Sequence, residues 1–116
     1  MIHVFNNESI VIMMTLDKEI EEIEGSIIET QTKIAQSCQL ETELKDQLGW
    51  DKCRIEEIDI LDYRGYEREE KYWKYDLKCY EQQIRVRMKL EKKRRLLEQR
   101  LDKLKKELQK RQNEDC

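Results

Sequence analysis

The chain contains no proline and only three glycines in 116 residues. Compact globules turn often, and turns draw on Gly and Pro. Their scarcity excludes a fold of many short elements and points to a few long ones. Aromatic residues make up 7%, and His3 is the only histidine. A histidine base or a His-rich metal site has almost no raw material here. The four cysteines, Cys38, Cys53, Cys79 and Cys116, form no CxxC pair and match no zinc spacing. They read as reduced thiols of a cytoplasmic protein. Cys38 and Cys79 read as small buried hydrophobes, and Cys116 as an exposed tail residue. The sequence has no Gly-rich phosphate loop and no nucleophile elbow. No stretch approaches the roughly 20 apolar residues of a membrane span. The apolar run Ile10–Met14 is too short for a signal peptide and lacks its basic leader.

Charge is abundant instead. Charged residues make up 42% of the chain, and Ile and Leu recur among them at helical spacing. Such a composition points to long helices and coiled coil. Disorder shares the high charge but lacks the regular spacing. The net charge of −3 is unevenly divided: residues 1–58 carry −8 and residues 59–116 carry +5. An acidic half and a basic half attract each other, within or between chains. The same asymmetry also signals an anionic partner.

Residues 1–14 form an apolar N-terminal arm, open to three readings: short strand, helical extension or flexible arm. Met13 and Met14 also leave the translation start open. Thr15 is an N-cap candidate, with Asp17 and Glu19 in the first turn, where the helix dipole favours acids. An acidic first helix then spans 15–48. Leu16, Ile20, Ile23, Ile27, Thr30, Ile34, Ser37, Glu41, Leu44 and Leu48 step by four and three, a heptad seam. Gly25 interrupts it at a cost of about 1 kcal/mol relative to Ala. Gly49 directly after Leu48 is a C-cap signal, and Asp51 an N-cap signal, so the turn is expected in LGWD, residues 48–51. The alternative is DYRGYE, residues 62–67, around Gly65. The turn region as a whole covers 49–65, with room for a short helix. A long basic second helix spans 66–112, and 113–116 is a polar tail.

In that second helix Tyr66, Trp73, Leu77, Tyr80 and Ile84 share one face. A leucine ladder follows at Leu90, Leu97, Leu101, Leu104 and Leu108, out of phase with it, so a heptad skip is expected through Arg85–Lys89. With the turn at 48–51, the first helix is too short to reach the ladder. The ladder is then the seam of a homodimer. The expected fold is all-α, a long dimeric helical hairpin or coiled coil.

Two surfaces are candidates for function. Seven of the eight aromatics fall between Trp50 and Tyr80, interleaved with bases. Tyr66, Tyr72, Trp73, Tyr75 and Tyr80 are the expected partner interface, because aromatic anchors dominate protein contacts. The same chemistry also stacks single-stranded bases. The second candidate is the basic run, where Lys92, Lys93, Arg94 and Arg95 are the nucleic-acid contacts to consider. There the bases surround the leucines instead of preceding them as a zipper's basic region does. Acids precede bases by one turn at Glu91–Arg95, Asp102–Lys106 and Glu107–Arg111, the pattern of a solvated helix face. Glu56, Glu57, Asp59 and Asp62 also read as a solvated face, since no histidine joins them to make a metal site. No catalytic, cofactor or metal-binding residue is expected. The sequence describes a non-catalytic coiled-coil protein that binds a protein partner, as adaptor, assembly factor or inhibitor. A nucleic-acid-binding regulator using helix 85–111 and a purely structural oligomer are the alternatives.

Overall fold

The computed structural model describes residues 7–59 and 61–114. They form two helices, α1 (Asn7–Glu57) and α2 (Tyr63–Glu114), folded as a helical hairpin. Among the described residues no peptide bond is cis and no residue has a positive φ. His3 and Cys116 lie outside the described residues.

Both helix boundaries of the first element differ from the expectation. α1 begins at Asn7, so residues 7–14 of the apolar arm are helical. Thr15 is therefore no cap. Its hydroxyl donates to the Val11 carbonyl at 2.8 Å, one turn back in the same helix. At the other end α1 continues through Gly49 to Glu57. A Cβ at Gly49 or at Gly25 would meet nothing within 4 Å, so neither glycine answers a steric need. The helix continues because its seam does. Beyond Leu48 the same four-and-three steps reach Asp51, which is buried, and Ile55, which is half-buried. Covering those side chains outweighs the roughly 1 kcal/mol that a mid-helix glycine costs.

The chain reverses after Glu57. Asp59 accepts from the Leu61 backbone N–H through Oδ1 at 3.1 Å, and its carbonyl accepts from the Asp62 N–H at 2.9 Å. Asp62 then caps α2: its Oδ1 accepts from the Gly65 N–H at 3.0 Å, and its carbonyl accepts from the Tyr66 N–H at 3.0 Å. This is the usual N-cap geometry, which satisfies an orphan donor of the first turn. A Cβ at Gly65 would collide with the Asp62 carboxylate. Of the two expected breaks, the one beginning at Asp62 is nearer the mark. Asp59 and Asp62 are turn and cap residues and not merely solvated acids.

The chain divides into two compact units, Met1–Thr32 with Glu91–Cys116, and Lys33–Leu90. In the first, Leu16, Ile23, Ile27 and Leu104 form an apolar core, with Ile20, Leu97, Leu101 and Leu108 packed against it. Each such side chain contributes about 1.5–3 kcal/mol when fully buried. The leucine ladder is thus covered by α1 of its own chain from Leu97 onward. The need for a second copy arose from the misplaced turn and falls with it. Lys105 reaches Glu24 at 3.5 Å across this unit, an ion pair between the basic and the acidic helix.

In the second unit polar pairs enter the seam among the apolar residues. The Gln83 side chain donates to the Ser37 hydroxyl at 2.6 Å, and Arg87 pairs with Glu41. These residues show that α2 has no heptad skip. From Leu108 back, one line of covered or half-covered positions runs through Leu104, Leu101, Leu97, Arg94, Leu90, Arg87, Gln83, Tyr80, Asp76, Trp73 and Glu69, an unbroken alternation of threes and fours. The expected skip came from following only apolar side chains. Leu77 and Ile84 are half-buried beside this line, while Tyr66 is 45% exposed.

Candidate interaction surface

The aromatic residues of the second unit divide between the seam and the surface. Trp73 and Tyr80 occupy seam positions and are half-buried. Tyr72 and Tyr75, one position before Trp73 and two after it, point away from the seam at 55% and 67% exposure. The five residues of the expected interface therefore do not lie on one face of α2. Tyr66 and Trp73 instead line a shallow cleft with Ile55, rimmed by Lys52, Glu56 and Glu70. Trp50, on α1 and 66% exposed, lines a second groove with Gly49 and Cys53. Leu61 and Tyr63, beside the chain reversal, are exposed as well.

Local contacts set the chemistry of the tyrosines. The Cys79 thiol, one turn on from Tyr75, holds the Tyr75 pKa above the usual tyrosine value. Lys74 pairs with Glu70 at 2.9 Å, and the Glu70 hydrogen bond and charge raise its pKa. Lys71 and Lys78 are exposed beside the same tyrosines. The surface thus offers flat apolar rings, hydroxyl handles and positive charge.

The basic run is arranged differently. Lys92, Lys93 and Arg95 are exposed, but Arg94 is a half-buried seam residue. Its Nε lies 3.8 Å from Glu98, close enough for charge attraction and too long for a hydrogen bond. The four bases are not one contact face. Downstream, Lys106 pairs with Asp102 at 2.9 Å and Arg111 with Glu107 at 3.4 Å, as their spacing predicts. Leu90 is half-buried on the seam.

Cys38 is exposed, against the expectation of burial, as is Cys53, while Cys79 is half-buried; all three are free thiols. Sequence reasoning missed Asp51 and Asp76. Their signal was positional: extending the α1 heptad past Leu48, and the ladder backward from Leu90, lands on both. Among the described residues no cluster of three or more His, Cys, Asp or Glu side chains is placed to hold a metal ion. No described helix is long and apolar enough to cross a membrane. Comparison with protein families, characterised proteins and solved structures finds no match to this chain.

Proposed function

We propose that this protein is a non-catalytic interaction protein, an adaptor, assembly factor or inhibitor, whose contact surface is the aromatic region of residues 50–75. The observation that carries this reading is the contrast within α2. Its leucines from Leu97 onward are covered by α1, while Tyr72 and Tyr75 stay more than half exposed. Rigid aromatic rings left in water on a helical support are the typical anchors of protein contacts. The lysines between them favour a partner segment with apolar side chains flanked by acids. The free thiols fit a reducing, cytoplasmic setting.

The nucleic-acid alternative is less well supported. In the unit that holds most of the basic run, the facing part of α1, residues 7–32, carries seven acids and one base. Lys105 is committed to Glu24. Phosphate-gripping helices lose affinity steeply with salt, by about 0.9 log units per log unit of salt for each phosphate contacted. Submicromolar duplex binding at physiological salt, lost on changing Lys92, Lys93 and Arg95 to Gln, would favour that alternative.

The direct test places a photoreactive phenylalanine at position 72 or 75 in cells, with position 106 as control. A discrete protein adduct from 72 and 75, absent from 106, is the expected result. Adducts confined to position 106, or to nucleic acid, would contradict it.

A further inference from the structure

The second unit has little apolar core of its own. Among the described residues, the only apolar side chain fully buried in it is Ile34. Other apolar side chains gather beside the seam. Leu40 stands between Ser37 and Glu41 on α1, and Val86 between Gln83 and Arg87 on α2. Ser37 bonds to Gln83 and Glu41 to Arg87, so Leu40 and Val86 lie on one flank of the same two contacts. Leu40, Gln47, Tyr72, Cys79 and Val86 each stand one position before a seam residue, so the heptad carries this flank along both helices. Leu40 is 46% exposed, Val86 40% and Tyr72 55%. None of the five is charged, in a chain where 42% of residues are. Long helices hold in water when their apolar strip is covered. Here the strip faces water while polar pairs occupy the seam beside it.

The edges of the strip indicate its cover. On α1 the edge is acidic: Asp46 stands just before Gln47, with Glu43 one turn earlier. On α2 the edge is basic: Lys71, Lys78 and Arg85 stand just before Tyr72, Cys79 and Val86. All five edge residues are exposed. Among the described residues no ion pair within the chain engages Asp46, Lys71, Lys78 or Arg85. Counting along both helices from the Ser37–Gln83 and Glu41–Arg87 contacts, Asp46 comes level with Lys78. The two edges lie on opposite sides of the strip. A second copy turned about a two-fold axis parallel to the helices lays each acidic edge on the other's basic edge.

We propose that the chain pairs with a second copy through this strip, α1 of each copy lying antiparallel on α2 of the other. Leu40, Tyr72 and Val86 are then covered, and Asp46 of each copy meets Lys78 of the other. The pair does not use the Leu97–Leu108 ladder. The cleft of Ile55, Tyr66 and Trp73 opens on the other flank, where its rim residues Lys52 and Glu70 each follow a seam residue. It stays open to a different protein.

The test is sedimentation equilibrium of the full chain over a concentration series, with circular dichroism to confirm helicity. Wild type should give twice 14.3 kDa, and Val86→Lys, at an exposed site, should give the monomer. Asp46→Lys alone and Lys78→Asp alone should each weaken association by about tenfold or more, because each places like charges together twice. An equal mixture of these two variants restores both attractions and should regain the dimer. A wild-type monomer throughout would overturn the pair and leave the proposed contact with another protein standing. A dimer indifferent to Val86→Lys, or variants that stay apart when mixed, would overturn the strip and its arrangement. If Val86→Lys loses helicity, the two charge variants and their mixture decide.

Discussion

The Gln83 side-chain amide donates to the Ser37 hydroxyl across the seam at 2.6 Å, and Ser37 is only 3% exposed. The pair is a polar layer at positions where the other unit carries Leu and Ile. Its effect is registry: a shift along the seam would leave both groups buried without partners.

Removing one side of this layer should cost more than removing both. Ser37→Ala strands the Gln83 amide and should lower stability by about 1 kcal/mol. Adding Gln83→Leu should recover most of that loss. A double-mutant cycle by chemical denaturation measures the coupling. Additive losses would show that the two groups do not depend on each other.

The glycines should separate by sign. Gly49→Ala replaces a mid-helix glycine with open space around it, and should stabilise by about 0.5–1 kcal/mol. Gly65→Ala drives a Cβ into the capping carboxylate of Asp62, and should destabilise by about 1 kcal/mol as the cap opens. Thermal denaturation of the two variants checks both directions. A turn at residue 49 would require the opposite sign there.

These glycines also show how far the sequence could be read. The all-α hairpin followed from the missing proline and the Leu16–Leu48 heptad, which the structure keeps residue for residue on α1. The turn did not follow, because Gly49 and Asp51 imitate a C-cap and an N-cap. Asp51 is instead a buried seam residue, held by Gln47 and Arg54. On α2 the apolar side chains at Leu77 and Ile84 drew attention from the true line through Asp76, Gln83 and Arg87. Hydrophobicity alone loses the heptad wherever polar pairs occupy it. The aromatic cluster was legible as a group, but its division into seam rings and surface rings depends on a phase that only the correct heptad supplies.

Leu104 tests whether the ladder is a seam within the chain. It is 9% exposed and part of the core with Leu16, Ile23 and Ile27. Leu104→Ala should cost about 2–4 kcal/mol. Leu96→Ala, at a side chain 56% exposed, should change stability by less than about 0.5 kcal/mol. Sedimentation should give the same mass for Leu104→Ala as for wild type. A mass reduced by half would mean that the ladder joins two chains.

The most direct measurement uses the ion pair between Glu24 and Lys105, 3.5 Å apart on the two helices. A carbodiimide joins such a pair as an amide without adding a spacer. The reaction is run on an equal mixture of unlabelled and nitrogen-15 protein and the joined peptides are mapped by mass spectrometry. A chain that folds back after Glu57 predicts a Glu24–Lys105 amide whose two peptides always carry the same isotope. Mixed-isotope pairs, or Lys105 joined only to acids far from Glu24, would contradict the hairpin and return the basic helix to the surface as an unpartnered element.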